Sequence, residues 1–446
     1  MDLDAIFLAY DIRGKVPEQL NAKTAYLIGK ALADFLPTKG AVAVGRDMRP
    51  DSGELTDNLV KGLLEQGRDV IDIGQVTSDM IYFAVGSLNL AGGAMITASH
   101  NPGAYNGIKL VRERAQGISI ESGLRDIKST IKSGQFKPTA QAGTLEQKQI
   151  IDAWINHVLG FVKDMQLKPL KIAVDAGNGM AGAIVPHLEG KVPFKITPLY
   201  FELDGTFPNH EANPLKIETL KDLQAKVKEL KLDAGVAFDG DGDRAVLVDE
   251  QGQPVPGSIM TALLAEYFLK REPGSTILYN LICSRIVPET IQQLGGTAVR
   301  TRVGHTFIKN DMRDNKALFA GEHSSHFYFR DNYNADSGLI AAMVGLGILS
   351  GSGQKLSQLV QKYKKYIASG EINFEVKDKG GMMKKIAQQF KDGQQDWLDG
   401  LTVQYSDWWF NVRPSNTEPL LRLNIEANTE DEVDQKTQQI EAIIKD

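Results

Sequence analysis

Ala234-Gly235-Val236-Ala237-Phe238 carries no polar side chain and runs straight into Asp239-Gly240-Asp241-Gly242-Asp243-Arg244. An apolar run of strand length that ends in a glycine-rich turn is the building unit of an α/β sheet. The same unit recurs outward in both directions. Upstream, a helical stretch over 217–230 follows a strand at 194–198, a helix near 180–188 and the strand Lys171-Ile172-Ala173-Val174. Further back, Ala41-Val42-Ala43-Val44, a helix over 55–64, Val70-Ile71-Asp72-Ile73 and Gly93-Ala94-Met95-Ile96 repeat it. Downstream it returns at 275–279, 287–294 and 298–301. Alternation of this kind predicts α/β modules with mainly parallel sheets covered on both faces.

The last 80 or so residues read differently. Stretches 372–376, 401–405, 408–412 and 420–427 look like strands in succession, and Thr429 with Glu432 three residues on opens a terminal helix with capping-box spacing. That pattern predicts an α+β domain. Polar and glycine-containing stretches divide the chain into 1–148, 149–254, 255–367 and 368–446. The three α/β modules show no periodic self-similarity in sequence.

Composition sets the setting. A chain of 446 residues exceeds one core, and 42% hydrophobic with 24% charged residues suits several packed domains. A net charge of −6 argues against general nucleic-acid binding. The single cysteine, Cys283, excludes an intrachain disulfide and fits a reducing compartment. The acidic start Met1-Asp2-Leu3-Asp4 lacks signal-peptide character, and no run of about 20 apolar residues predicts a membrane span. The expectation is a cytoplasmic protein.

Asp239, Asp241 and Asp243 alternate with glycines, so the turn can bring three carboxylates onto one hard cation that offsets their repulsion. An EF-hand does not fit, because Arg244 occupies the position that needs glycine and Val246-Leu247-Val248 reads as a strand. Magnesium, with positions left for a phosphate oxygen, fits better. Thr97-Ala98-Ser99-His100-Asn101-Pro102 is an exposed turn that can present the Ser99 hydroxyl; read alone, a plain polar loop accounts for it too. Arg413-Pro414-Ser415-Asn416-Thr417 gathers many donors with no carboxylate before Glu418, a cradle for a phosphate or an ordinary polar turn. Gly321-Glu322-His323-Ser324-Ser325-His326 mixes groups that grip sugar hydroxyls, and lacks a third ligand at zinc spacing. Gly177-Asn178-Gly179-Met180-Ala181-Gly182 matches a dinucleotide-binding fingerprint, with Glu202 and Asp204 downstream. Asp175 just before it would repel a pyrophosphate, so structural glycines in a tight turn are the preferred reading. There is no Walker A loop.

In this order and spacing the segments resemble the α-D-phosphohexomutase superfamily. Tyr10-Asp11-Ile12-Arg13-Gly14, Gly45-Arg46-Asp47, Tyr105-Asn106-Gly107-Ile108-Lys109 and Arg302-Val303-Gly304-His305-Thr306 join the four loops above to carry the resemblance along the whole chain. The likeness is nearest to the phosphomannomutase/phosphoglucomutase branch. It implies three similar mixed-sheet α/β domains and a fourth, phosphate-binding domain around a central cleft. It also implies an intramolecular phosphotransferase that interconverts hexose 1-phosphate and 6-phosphate of mannose, glucose or both, with phosphoglucosamine as the alternative sugar.

By resemblance, Ser99 carries the phosphoryl group, and Mg²⁺ is held by Asp239, Asp241, Asp243 and a phosphoserine oxygen. Arg13 and Arg244 stabilise the transferring phosphate, while Lys109 and His305 assist proton transfer or charge neutralisation. Glu322 and Ser324 bind the sugar's 3- and 4-hydroxyls beside His326, with Tyr10 and His100 among the substrate contacts. Arg413, Ser415, Asn416 and Thr417 hold the non-reacting phosphate. A hexose 1,6-bisphosphate is intermediate and activator, and the fourth domain closes over the substrate. The partner is a phosphosugar, without nucleic acid or membrane, and the chain acts as a monomer or weak dimer. Three positions depart from the branch: His323 and Ser325 replace a methionine and a glycine, and Ile282 replaces a phosphate-holding lysine for which Arg285 is the nearby substitute.

Overall fold

The computed structural model describes residues 2–415 and 420–445. Four sheets follow one another along the chain. The first places strand Val42–Arg46 between Val70–Gln75 and Gly92–Ile96, all parallel, and then turns antiparallel through Tyr105–Arg112 to Ile12–Lys15. The second runs Ala245–Asp249, Ala234–Phe238, Leu170–Asp175, Phe194–Leu199, with only the first pair antiparallel. The third runs Thr297–Thr301, Thr276–Asn280, Phe319–Gly321, Phe327–Phe329, Ala335–Asp336, parallel for three strands and antiparallel for two. The fourth, from Ile367–Glu375 to Gln394–Asp396, is antiparallel throughout.

The first three sheets are mixed, as the family resemblance implies, whereas the alternation alone points to mainly parallel ones. The antiparallel strands come from segments such as Tyr105–Arg112, which carry lysine, asparagine and arginine and so give no apolar run to recognise. Where the run is apolar, the expected strand is present and buried on both faces. Val42 and Val44 enter one core while Ala43 enters another, and Ile172 and Val174 are likewise divided from Ala173. That is period-two alternation inside a covered sheet.

Helix Gly338–Ser352 had no sequence signal. It is apolar around its whole circumference and buried along most of its length, so it lacks the polar face that marks an amphipathic helix. Its first residue seats on the acidic loop: a Cβ on Gly338 would lie 2.7 Å from the Gly242 carbonyl oxygen. The terminal helix Glu430–Lys445 is capped as its spacing predicts, with Thr429 Oγ1 accepting from Glu432 N and Glu432 Oε2 accepting from Thr429 N. Among the described residues no helix is long and apolar enough to cross a membrane.

Candidate active site

Loops from three sheets meet at the carboxyl ends of parallel strands, where open α/β sheets place their ligands. Ser99 follows Gly92–Ile96, Asp239 follows Ala234–Phe238, and Glu322 follows Phe319–Gly321. Ser99 Oγ donates to Asp239 Oδ2 at 2.8 Å and lies 3.1 Å from His100 Nδ1. Its φ is +50°, a left-handed backbone that costs a non-glycine residue energy and occurs preferentially at functional sites. The loop is held there by Arg49, whose guanidinium donates to the carbonyls of Ser99, Asn101, Pro102 and Tyr105 at 2.6–2.9 Å. Sequence reasoning missed Arg49, because an arginine two residues past Asp47 looks like any surface cation; here it is buried and paired with Asp47.

The three aspartates are buried, and one oxygen of each lies within 4.8 Å of the others. Glycines make the loop possible: Gly242 has φ +75°, and a Cβ on Gly240 would stand 2.5 Å from the Ser99 carbonyl oxygen. Lys109 Nζ contacts Asp241 Oδ2 at 2.7 Å and Asp243 Oδ2 at 2.6 Å. Burial alone would lower the Lys109 pKa, but these two carboxylates outweigh it and hold the ammonium charged. Asp239 is pushed well up, first by burial and then by repulsion from Asp243 and Asp241. Burial would raise Asp243 too; Lys109, His326 and Arg244 overcome it and keep that carboxylate ionised. Asp241 Oδ1 and Asp243 Oδ1 are buried without a hydrogen-bond partner, Asp243 Oδ1 lying 3.4 Å from His326 Nε2 outside hydrogen-bond geometry. Three close carboxylates, two of them with an unpartnered oxygen, fit a hard divalent cation.

Around this triad stand the other expected residues. Arg244 Nε lies 3.7 Å from Asp239 Oδ2 and donates to His326 Nε2 at 3.2 Å. Arg13 donates to Asn101 Oδ1 at 2.7 Å in the Ser99 loop and pairs with Asp11. Tyr10 reaches across to the third sheet, its hydroxyl 3.3 Å from the Val303 carbonyl oxygen and its ring edge-on to His305. His305 opens helix His305–Asp314, and Lys309 Nζ lies 3.3 Å from its Nδ1. Burial, then Lys309 and Lys109, lowers the His305 pKa well below the usual imidazole range; burial, then Arg244 and Arg13, does the same for His100.

Glu322 is gripped on both oxygens, by Tyr328 Oη at 2.5 Å and Asn280 Nδ2 at 2.9 Å. Ser324 Oγ lies 3.1 Å from His326 Nδ1. Ser325, standing where glycine was expected, adopts φ +61°, so the turn keeps a glycine-like backbone with a serine in it. Arg413 stands near the end of the strand Trp409–Pro414 of the fourth sheet and Ser415 follows it; Asn416 and Thr417 lie outside the described residues. A carboxylate does reach this loop, from a distant part of the chain. Glu371 sits 3.2 Å from Arg413 Nη2 and 3.4 Å from Arg422 Nε.

Of two further sequence readings, the first, structural glycines at 177–182, stands, and the second, Arg285 in place of a lysine, changes. Gly177–Gly182 is a packing turn against the acidic loop: Met180 N donates to the Gly240 carbonyl, and a Cβ on Gly179 would stand 2.8 Å from that oxygen. Arg285 does not stand in for a lysine at 282. Its guanidinium donates to the carbonyls of Tyr405, Ser406 and Trp408, while Ile282 packs with Leu281 against Trp409 of the fourth sheet. The departure at 282 therefore builds a contact between the third and fourth sheets.

Family models described as phosphoglucomutase/phosphomannomutase alpha/beta/alpha domains I, II and III match residues 4–138, 152–252 and 256–366, and the C-terminal domain of that family matches 371–443. The chain belongs to this phosphoglucomutase/phosphomannomutase family. It is 40% identical to a phosphomannomutase of Salmonella montevideo across 94% of both chains. It is also 41% identical to a protein named phosphohexose mutases of Xanthomonas campestris pv. campestris (strain B100), across 98% of this chain and 99% of that one. Among solved structures, a phosphoglucomutase/phosphomannomutase family protein from Burkholderia thailandensis superposes with a TM-score of 0.92 at 33% identity, covering 100% of this chain and 98% of the other. The family's four domains coincide with the four sheets, so the acidic loop and the serine loop occupy the seam between its domains I and II.

Proposed function

We propose that the chain is a magnesium-dependent phosphohexomutase that interconverts hexose 1-phosphate and hexose 6-phosphate, of mannose, glucose or both, through a phosphoserine at Ser99. The observation that carries the reading is the hydroxyl of Ser99 held 2.8 Å from Asp239, beside two further buried carboxylates. Asp239, Asp241 and Asp243, together with the phosphorylated Ser99, would hold a divalent ion, which would supply positive charge to offset the phosphoryl group.

The chain's own residues do the rest. Phosphoryl transfer depends on alignment and charge stabilisation, which Arg244 and Arg13 provide beside the serine loop. Lys109, kept charged by Asp241 and Asp243, adds a fixed positive charge. His305, kept neutral and with Lys309 on Nδ1, carries its proton on Nε2 and offers it as a donor to a phosphate or sugar oxygen. Glu322 and Ser324 take the sugar's 3- and 4-hydroxyls beside His326, and Tyr10 and His100 complete the substrate contacts. Arg413 and Ser415, with Asn416 and Thr417, hold the phosphate that is not reacting. Ser99 gives its phosphoryl group to one sugar oxygen, the 1,6-bisphosphate turns around, and its other phosphoryl group returns to Ser99. Closure of the fourth domain excludes water during the turn. The chain works on a phosphosugar in the cytoplasm, as a monomer or weak dimer.

Intact-mass measurement tests this reading. A gain of about 80 Da, one phosphoryl group, that vanishes in Ser99→Ala together with mutase activity is the expected result. Equal phosphorylation and turnover in Ser99→Ala would refute it. Parallel kinetics on mannose, glucose and N-acetylglucosamine 1-phosphates assign the sugar.

A further inference from the structure

Glu322 directly follows the central one of three adjacent strands, Phe319–Gly321, and each neighbouring strand sends one donor to it. Strand Thr276–Asn280 pairs with Phe319–Gly321 on one side and ends in Asn280; strand Phe327–Phe329 pairs on the other side and carries Tyr328. Tyr328 Oη donates to Glu322 Oε1 at 2.5 Å, and Asn280 Nδ2 donates to Glu322 Oε2 at 2.9 Å. All three side chains are buried. A carboxylate has about four acceptor positions, so one donor on each oxygen fixes the plane of the group and leaves capacity on both oxygens for hydroxyls.

We propose that Asn280 and Tyr328 are positioning residues that hold the Glu322 carboxylate in the orientation by which it recognises the 3- and 4-hydroxyls of the hexose. This rests on the reading of Glu322 as a sugar ligand given above.

The Asn280 amide is fully committed, which makes it a rigid clamp. Its Nδ2 faces Glu322 Oε2 and, at 3.2 Å, His323 Nδ1, while its Oδ1 accepts from Cys283 Sγ at 3.1 Å. Turning the amide over would set its oxygen against the carboxylate, so only one orientation satisfies all three neighbours. His323 can accept at Nδ1 only as a neutral imidazole, and burial, followed by the charges of Arg413 and Arg244, pushes its pKa down to about 3. The phenol is likewise secured as a donor, because burial and then Glu322 raise the Tyr328 pKa well above its ordinary value. The substitution of histidine at 323 and the single cysteine of the chain thus act together, through Asn280, on the orientation of Glu322.

The test compares kcat/KM for a hexose 1-phosphate with that for its 3-deoxy and 4-deoxy analogues, in the full chain and in Tyr328→Phe, Asn280→Leu and Glu322→Gln. The unmodified chain is expected to prefer the complete sugar by about 10- to 100-fold, the worth of a hydrogen bond to a charged group. Tyr328→Phe, which removes one oxygen and keeps the ring, should cut that preference threefold or more through KM, with kcat changed less. A general loss of stability would lower activity on all the sugars alike and leave the preference unchanged. The proposal fails if Glu322→Gln lowers the preference while Tyr328→Phe leaves it intact. If Asn280→Leu does not fold, Tyr328→Phe decides alone. If the unmodified chain turns over no hexose phosphate, or ignores both hydroxyls, the underlying reading of the site fails instead, and that result is seen without any substitution.

Discussion

Ser99 Oγ lies 2.8 Å from Asp239 Oδ2 although 140 residues separate the two along the chain. The contact forms because a left-handed serine turns its hydroxyl onto a loop whose glycines let the two backbones touch. The strain at Ser99 can be measured apart from its chemistry. Ser99→Gly and Ser99→Ala both remove the hydroxyl and should both abolish mutase activity. Only glycine accepts φ +50° without penalty, so the glycine variant should be the more stable by about 1 kcal/mol in denaturant unfolding.

Lys109 spans Asp241 and Asp243 from below. Lys109→Met leaves both carboxylates buried beside Asp239 with less compensating charge, at a cost of about 3–5 kcal/mol. Thermal unfolding in EDTA should fall well below that of the unmodified chain. Added Mg²⁺ should recover much of the difference, because a bound cation stabilises the folded state in proportion to its affinity. No Mg²⁺ response in either chain would show that no cation sits at the triad.

His323 gives a pH signature. Its pKa is near 3 in the fold against 6.5 when exposed. Above about pH 6.5 it is neutral in both states and has no effect. Between about 6.5 and 3 the unfolded chain takes up a proton that the folded chain refuses, so stability drops as pH falls through that window. His323→Met lacks this group and should show a flatter acid limb there, by on the order of a few kcal/mol at its lower end. Urea titrations at several pH values would resolve it.

Ile282 joins the third and fourth sheets through Leu281 and Trp409, alongside the Arg285 clamp. Ile282→Lys would bury an ammonium among apolar groups, which is unfavourable without a partner. The fourth domain should then sit further open. The measurable consequences are a larger radius of gyration in X-ray scattering, a red-shifted tryptophan emission as Trp409 meets water, and a raised KM.

The fold and the centre of the site were legible for a simple reason. Strands such as Ala234–Phe238 and Val42–Arg46 are buried on both faces and write themselves as apolar runs. The Asp239–Asp243 spacing states its chemistry in five residues. What escaped depends on partners far away in the chain. Helix Gly338–Ser352 has no polar face to set its period, Glu371 meets Arg413 only through strand pairing, and Arg285 was assigned to phosphate although its donors go to three carbonyls. Asn280 and Tyr328 gain their roles only once the third sheet places them on either side of Glu322.

Arg49 ties together four carbonyls of the loop that bears Ser99. On the proposed reading of Ser99 as the phosphoryl carrier, a nucleophile riveted in this way cannot travel between the two ends of a sugar. The traffic of the reaction cycle must be carried by the small molecule, which tumbles in place while the serine waits like an anvil. Loosening that arginine would therefore harm the second transfer as much as the first, since both strike the same fixed point.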